Sequence, residues 1–167
     1  MSEPGLNAPV SRYGWQAYIL ATAVLALDQA VKHWVLNGLN LGALGAVQVA
    51  GPLHLTLVWN RGVSFGLFHA DRELMRWALA AFSLIVAVVL VVWARRSERS
   101  IVGAGLGLII GGAIGNAVDR VRFGAVVDFI DVSRLYFPWV FNVADAAITV
   151  GVGLLLLDSV RKERTAP

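Results

Sequence analysis

The stretch GNAVDRVRFGAVVDFIDV, residues 115–132, decides how the chain is read. Its first four residues complete eighteen uncharged positions, Ile101–Val118. Three aspartates and two arginines then arrive within thirteen positions. A helix rises about 1.5 Å per residue and the hydrocarbon core of a bilayer is roughly 30 Å thick, so about 18 apolar residues suffice to cross it. The stretch reads as a membrane helix that ends among charges, and the carboxylates in it need a reason to be there.

Working outward, Trp77–Ala94 holds no charged residue, Tyr13–Leu36 is apolar apart from Asp28, Gln29, Lys32 and His33, and Trp139–Leu157 is apolar apart from Asn142 and Asp145. Four spans are predicted, at about 13–36, 77–94, 101–121 and 139–158, in one integral membrane domain over residues 1–167. The composition agrees: 57% of the 167 residues are hydrophobic, 15% are charged, and the mean hydropathy is +0.68. A soluble domain of this length carries more charge. The first apolar segment lacks a small-residue cleavage pattern followed by a soluble domain, so it is read as a retained helix rather than a signal peptide.

The segments between the spans have their own pattern. LHLTLVW (53–59) alternates Leu53, Leu55, Leu57 and Trp59 on one face, a strand period. NRG (60–62) reads as a turn, VSFGLF as a return to extended chain, and AVVDFIDV (125–132) as a second strand region. The predicted fold is an all-α membrane protein of four transmembrane helices with a small extracytoplasmic β-platform, built from about 40–70 and 122–136. DRELMRW (71–77) sets Arg72 and Arg76 on one helical face at the start of span two, with Trp77 at the interface. Gly62 and Gly66 permit bends, so the loop between Asn60 and Arg76 is expected to act as a lid. The glycines of span three, at 103, 105, 107, 111, 112 and 115, permit close helix packing.

Several classes fall away. The chain has no cysteine, which removes disulfides, thiolate metal sites and cysteine nucleophiles. The net charge of +3 comes without a basic, aromatic-interleaved patch, so no nucleic acid is expected as a partner. His33, His54 and His69 lack metal-ligand spacing. No cofactor and no metal are expected, and the six tryptophans fit interfacial belts.

Charge orients the chain. Arg95, Arg96 and Arg99 lie between spans two and three, and Arg161, Lys162 and Arg164 follow span four. Positive short loops stay cytoplasmic, so both termini are expected to face the cytoplasm. Asp28, Asp119, Asp128 and Asp145 then fall at one depth near the outer surface. A carboxylate near hydrocarbon costs several kcal/mol unless it serves a polar site. Several of the acids also have a bland reading: Asp145 as a helix cap, Asp128 and Asp131 as solvated surface charges, and Asp119 as an ion-pair partner of Arg120. Two other functional classes fit clustered acids, a proton or ion transporter and a carboxylate–metal enzyme acting on lipid headgroups.

LALDQAVKHW, NRGVSFG, GGAIGNAVDRVRFGAVVDFIDV and FNVADAAITVG together resemble, in order and at matching span positions, the sequence boxes of the bacterial lipoprotein signal peptidases, or signal peptidase II. The chain departs at Val31, where the family often has serine or threonine, and at Trp59, where it often has tyrosine. The resemblance implies an inner-membrane aspartic endopeptidase that cuts diacylglyceryl-modified prolipoproteins just before the lipidated cysteine. Membrane lipid is then a second partner, and the enzyme is expected to be a monomer. It puts Asp128 and Asp145 on the catalytic pair. It marks Asp28, Lys32, Asn60, Gly62, Asn116, Asp119, Arg120, Asn142 and Ala144 as substrate-binding or supporting residues.

Overall fold

A computed structural model describes residues 9–62, 72–135 and 138–164. Along the chain come α1 (Arg12–His33), continued by a π-helical turn at Trp34–Gly38, then the short α2 (Leu41–Leu44), β1 (Ala46–Ala50) and β2 (Leu53–Asn60). After them come α3 (Arg72–Ala94), α4 (Ser100–Phe123), β3 (Val126–Asp131), β4 (Val140–Phe141) and α5 (Val143–Arg164). Among the described residues, four helical segments are long and apolar enough to cross a membrane: Arg12–Gly38, Glu73–Ala94, Ser100–Phe123 and Val143–Arg161.

Helix α4 is the axis, with α1, α3 and α5 packed along it. Its glycines make this possible. Gly103, Gly107 and Gly111 recur every four residues and meet the backbone of Tyr13, Ala17 and Ala21 on α1; a Cβ on Gly107 or Gly111 would stand 2.6 Å from a carbonyl oxygen. Gly105 and Gly112 meet α5 at Gly151 and Ala144. Small residues at such spacing let helix backbones approach without a side chain between them.

Helix ends are closed by specific donors. Ser11 caps α1, its Oγ accepting from the Gly14 N–H at 2.9 Å. Helix α4 stops at Gly124, whose left-handed φ of 75° lets its N–H reach the Arg120 carbonyl. Arg76 at the start of α3 supplies two further donors there, Nε to the Arg120 carbonyl at 2.7 Å and Nη2 to that of Val121 at 2.6 Å. It therefore serves the exit of span three as well as the start of span two.

The strands form one antiparallel sheet in the order β1-β2-β3-β4, with Val58 opposite Asp128 and Asn60 opposite Val126. Val127 and Phe129 of β3 are buried with Val35 and Leu41, so one side of the sheet rests on the end of α1 and on α2. The sequence expectation needs correction at three places. Residues 139–142 do not begin span four: Val140–Phe141 pair with β3, and α5 starts at Val143. Within the regions expected to be β, Leu41–Leu44 is helical and residues 122–123 still belong to α4. Pairing with β3 decided the backbone of 140–141, and the left-handed Gly124 sets the end of α4 beyond Phe123. The extended reading of 63–68, the Gly66 bend, most of the expected lid and His69 lie outside the described residues.

All six tryptophans are exposed on the protein surface, Trp15 and Trp93 toward the end that holds Arg12 and Arg95, and Trp34, Trp59, Trp77 and Trp139 toward the sheet. Two aromatic belts at the two ends of four apolar helices match the two faces of a bilayer.

Candidate active site

The sequence NVAD at 142–145 opens α5, and its local chemistry builds half of the site. Asn142 is the cap: its Oδ1 accepts the Asp145 N–H at 2.9 Å, and Asp145 Oδ2 accepts the Asn142 N–H at 3.3 Å. This reciprocal pair is a capping box with asparagine and aspartate in the usual Ser/Thr and Glu places. Asp145 is thus a cap partner, and its second oxygen remains for other work: Oδ1 accepts from Asn116 Nδ2 at 2.7 Å.

The other half comes from β3. Asp128 is 1% exposed, its Oδ1 accepting from Asn142 Nδ2 at 2.7 Å and its Oδ2 from Asn60 Nδ2 at 2.9 Å across the β2–β3 ladder. The Asn142 side chain therefore joins the two aspartates, one through its oxygen and one through its nitrogen. Burial pushes the Asp128 carboxyl up to about 6. The two amide donors oppose that shift and the nearby charge of Asp145 adds to it. Asp131 differs: its Oδ1 takes the Ser133 N–H at 2.9 Å and its Oδ2 the Thr56 hydroxyl at 2.8 Å, and bonding around Ser133 holds its carboxyl below the ordinary value.

Beneath the pair lies a second, closed cluster. Lys32 Nζ contacts Asp28 Oδ2 at 2.8 Å and Asp119 Oδ2 at 2.7 Å, with all three side chains buried. Asp119 does not pair with Arg120 as the sequence suggested. Neighbouring residues on a helix point about 100° apart, and Asp119 faces Lys32 on α1. Arg120 donates instead to the Asn116 carbonyl at 3.4 Å, within electrostatic reach of Asp145, Asp119 and Asp128. The same carboxylates also tie elements together. Asp28 Oδ1 accepts the Ala144 N–H at 3.0 Å and Asp119 Oδ2 the Val127 N–H at 3.0 Å, which links α1 to α5 and α4 to β3.

The remaining predicted residues have definable places. Gly62, at φ 89°, gives its N–H to Asn60 Oδ1 at 2.8 Å and so turns the Asn60 NH2 toward Asp128. Ala144 is fully buried, its carbonyl against Gly112, and α5 has no room there for a larger residue. The sequence reading missed Gln29, whose Nε2 bridges Asp28 Oδ2 at 3.2 Å and Asp119 Oδ1 at 3.0 Å. The available signal was its place between Asp28 and Lys32 in a helix otherwise apolar. It also missed the role of Arg76, which only the fold brings to α4.

A sequence model described as Signal peptidase (SPase) II matches residues 20–161. A lipoprotein signal peptidase of Caulobacter vibrioides is 52% identical over 155 residues, covering 92% of both chains. One of Methylorubrum extorquens is 47% identical over 150 residues, covering 89% of this chain and 88% of its own. Two solved bacterial membrane enzymes share the fold: one at TM-score 0.79 and 24% identity over 96% of this chain and 97% of its own, the other at 0.75 and 26% over 90% and 95%. With the motif boxes, the four-span fold and the match over nearly its whole length in agreement, the chain belongs to the signal peptidase II family.

Proposed function

We propose that this peptidase is an aspartic endopeptidase acting through Asp128 and Asp145. Its substrates on this reading are prolipoproteins carrying a diacylglyceryl group, cut before the modified cysteine. The observation that carries it is Asn142, whose side-chain NH2 donates to the Asp128 carboxylate and whose backbone N–H donates to the Asp145 carboxylate, joining both in one network at the sheet end of the bundle. Peptide hydrolysis of this kind needs a base to take a proton from water and an acid to serve the carbonyl oxygen and the leaving nitrogen. Two carboxylates close together do not both ionise freely, so the pair shares a proton. Burial raises the Asp128 carboxyl to about 6, so this reading gives Asp128 the acid's role. Asp145 then activates water, and Asp128 hydrogen-bonds the carbonyl and protonates the amine as it leaves.

The same reading places the sheet and the aspartates on the outer side of the inner membrane. Arg95, Arg96, Arg99 and Arg161 mark the opposite end as cytoplasmic. Substrate acyl chains stay in hydrocarbon while the peptide reaches the aspartates sideways. The test is a gel-shift cleavage assay on one diacylglyceryl-modified prolipoprotein, with its unmodified form beside it. Cleavage of the modified form alone is expected, and no cleavage of either removes the reading. Single cysteines, introduced into a chain that has none, check the orientation. Positions 95–100 should resist impermeant reagents in intact cells, and positions 46–60 should react.

A further inference from the structure

Three asparagine amides surround the two aspartates, and all are held alike: the oxygen accepts an N–H, and the NH2 donates to a carboxylate. For Asn60 the anchor is the Gly62 N–H, and for Asn142 it is the Asp145 N–H. Asn116 has a side-chain anchor instead. Its Oδ1 accepts from Lys32 Nζ at 3.3 Å and from Asn142 Nδ2 at 3.2 Å, while its Nδ2 donates to Asp145 Oδ1 at 2.7 Å.

The two ends of an amide have nearly the same shape, so its orientation follows from the donors and acceptors around it. Turned over, Asn116 would set its NH2 against the Lys32 ammonium and the Asn142 NH2, and its oxygen against the Asp145 carboxylate. An ammonium only donates, and this one is 2% exposed and clamped between Asp28 and Asp119. Among the described residues no hydrogen bond joins Lys32 to Asp128 or Asp145 directly.

Resting on the aspartic reading above, we propose that Lys32 is a positioning residue whose ammonium fixes the Asn116 amide with its NH2 toward Asp145. The charged groups around this amide are Lys32 and Asp28 from α1, Asp119 and Arg120 from α4, Asp128 from β3 and Asp145 itself from α5. Arg76 from α3 is engaged with the carbonyls of Arg120 and Val121. A donor to the ionised carboxylate favours that form, so losing it moves the acid limb of the pH profile to higher pH.

Lys32→Met alone strands two buried carboxylates, so the working variant is Lys32→Met with Asp119→Asn. It removes one positive and one negative charge together and leaves the net charge of the cluster unchanged. Two readouts are taken in detergent micelles. The first is the side-chain amide resonance of Asn116 in protein labelled with 15N-asparagine, assigned by its loss in Asn116→Ala. The second is the pH profile of kcat/KM on the lipid-modified substrate. In the double variant the amide resonance should shift, kcat should fall at least about tenfold with KM nearly unchanged, and the acid limb should rise by about one pH unit. Lys32→Arg, which keeps the cation, should leave the resonance near its original place. An Asn116 resonance that stays put in the folded double variant overturns the proposal, as does an acid limb that does not move. If the unmodified enzyme cleaves no lipid-modified substrate, the aspartic reading falls by itself. The amide resonance then still decides whether Lys32 orients Asn116.

Discussion

Two pairs of aspartates are linked through Lys32 and Asn116, and they are built on opposite plans. Asp28 and Asp119 close around a lysine, with Gln29 bridging the two carboxylates as well. Asp128 and Asp145 close around neutral amides, with Asn142 shared between them and Asn116 and Asn60 behind. A buried cation paired with two carboxylates makes them a clamp between helices. Amides orient carboxylates without cancelling their charge, so a proton stays exchangeable between them. Burial alone does not mark the pair proposed to react, since Asp28, Asp119 and Asp128 are all buried. The identity of the partner does.

The contrast breaks first on activity. Asp128→Asn and Asp145→Asn should each lower cleavage by about 10²–10⁴-fold or more, and the double variant should be no worse than either, because the pair acts as one unit. An initial-rate assay at saturating lipid-modified substrate decides it. Substantial cleavage by either variant would move the chemistry elsewhere.

On stability the pairs should behave in opposite ways. Asp28→Ala leaves Lys32 with one carboxylate and removes the acceptor of the Ala144 N–H, and should cost on the order of 3 kcal/mol. Thermal unfolding in detergent should show a drop several degrees larger than that of Asp128→Asn. If the two variants unfold together, the clamp reading of the lysine cluster is wrong.

The third contrast is in pH. A carboxyl raised in the folded state opposes folding once it must ionise. Its penalty is absent below the unfolded value of 3.8 and complete above about 6. The native protein should therefore lose stability through this group as pH rises across that window, by at most about 3 kcal/mol. Asp128→Asn should remove that slope. Some of its gain is lost because its own NH2 must face either Asn60 or Asn142. Melting series at pH 4 to 7.5 that run parallel for the two proteins would refute the assignment.

Smaller still is Gly115→Ala. The new Cβ would stand 2.6 Å from Asp28 Oδ2, and the expected loss is about 1–3 kcal/mol. Gly153→Ala, with nothing within 4 Å of its Cβ, should be neutral in the same melt. The smallest effect belongs to Asp131→Asn. It lies three residues from Asp128, on the other side of a strand whose side chains alternate, and among the described residues its carboxylate accepts hydrogen bonds from Ser133 and Thr56. It should keep most activity, and a dead Asp131→Asn enzyme would mean that the wrong carboxylate of this strand was chosen.

Much of the architecture was legible in the residues. Runs as long as Ile101–Val118 have one stable home, since an uncharged helix of that length can satisfy its backbone internally and bury its side chains in lipid. The glycine spacing on span three marked it for close helix packing, and the alternation at Leu53–Trp59 matched β2. The candidate aspartates were legible because carboxylates are rare in apolar segments, and the family boxes then singled out two of them.

Other features were decided only in three dimensions. Asp119 has Arg120 beside it in sequence and Lys32 as its partner in space, because helical rotation separates neighbours and packing supplies others. Val140–Phe141 looked like the start of a span and became a strand, because β3 offered it a hydrogen-bonding edge. Arg76 closes a helix 44 residues further along the chain. Which carboxylates meet a cation and which meet amides is likewise absent from the one-dimensional pattern. Residue types and periods dictate what each segment can bury, whereas charge pairing depends on distances of about 3 Å between segments far apart in sequence, and only the packed helices set those.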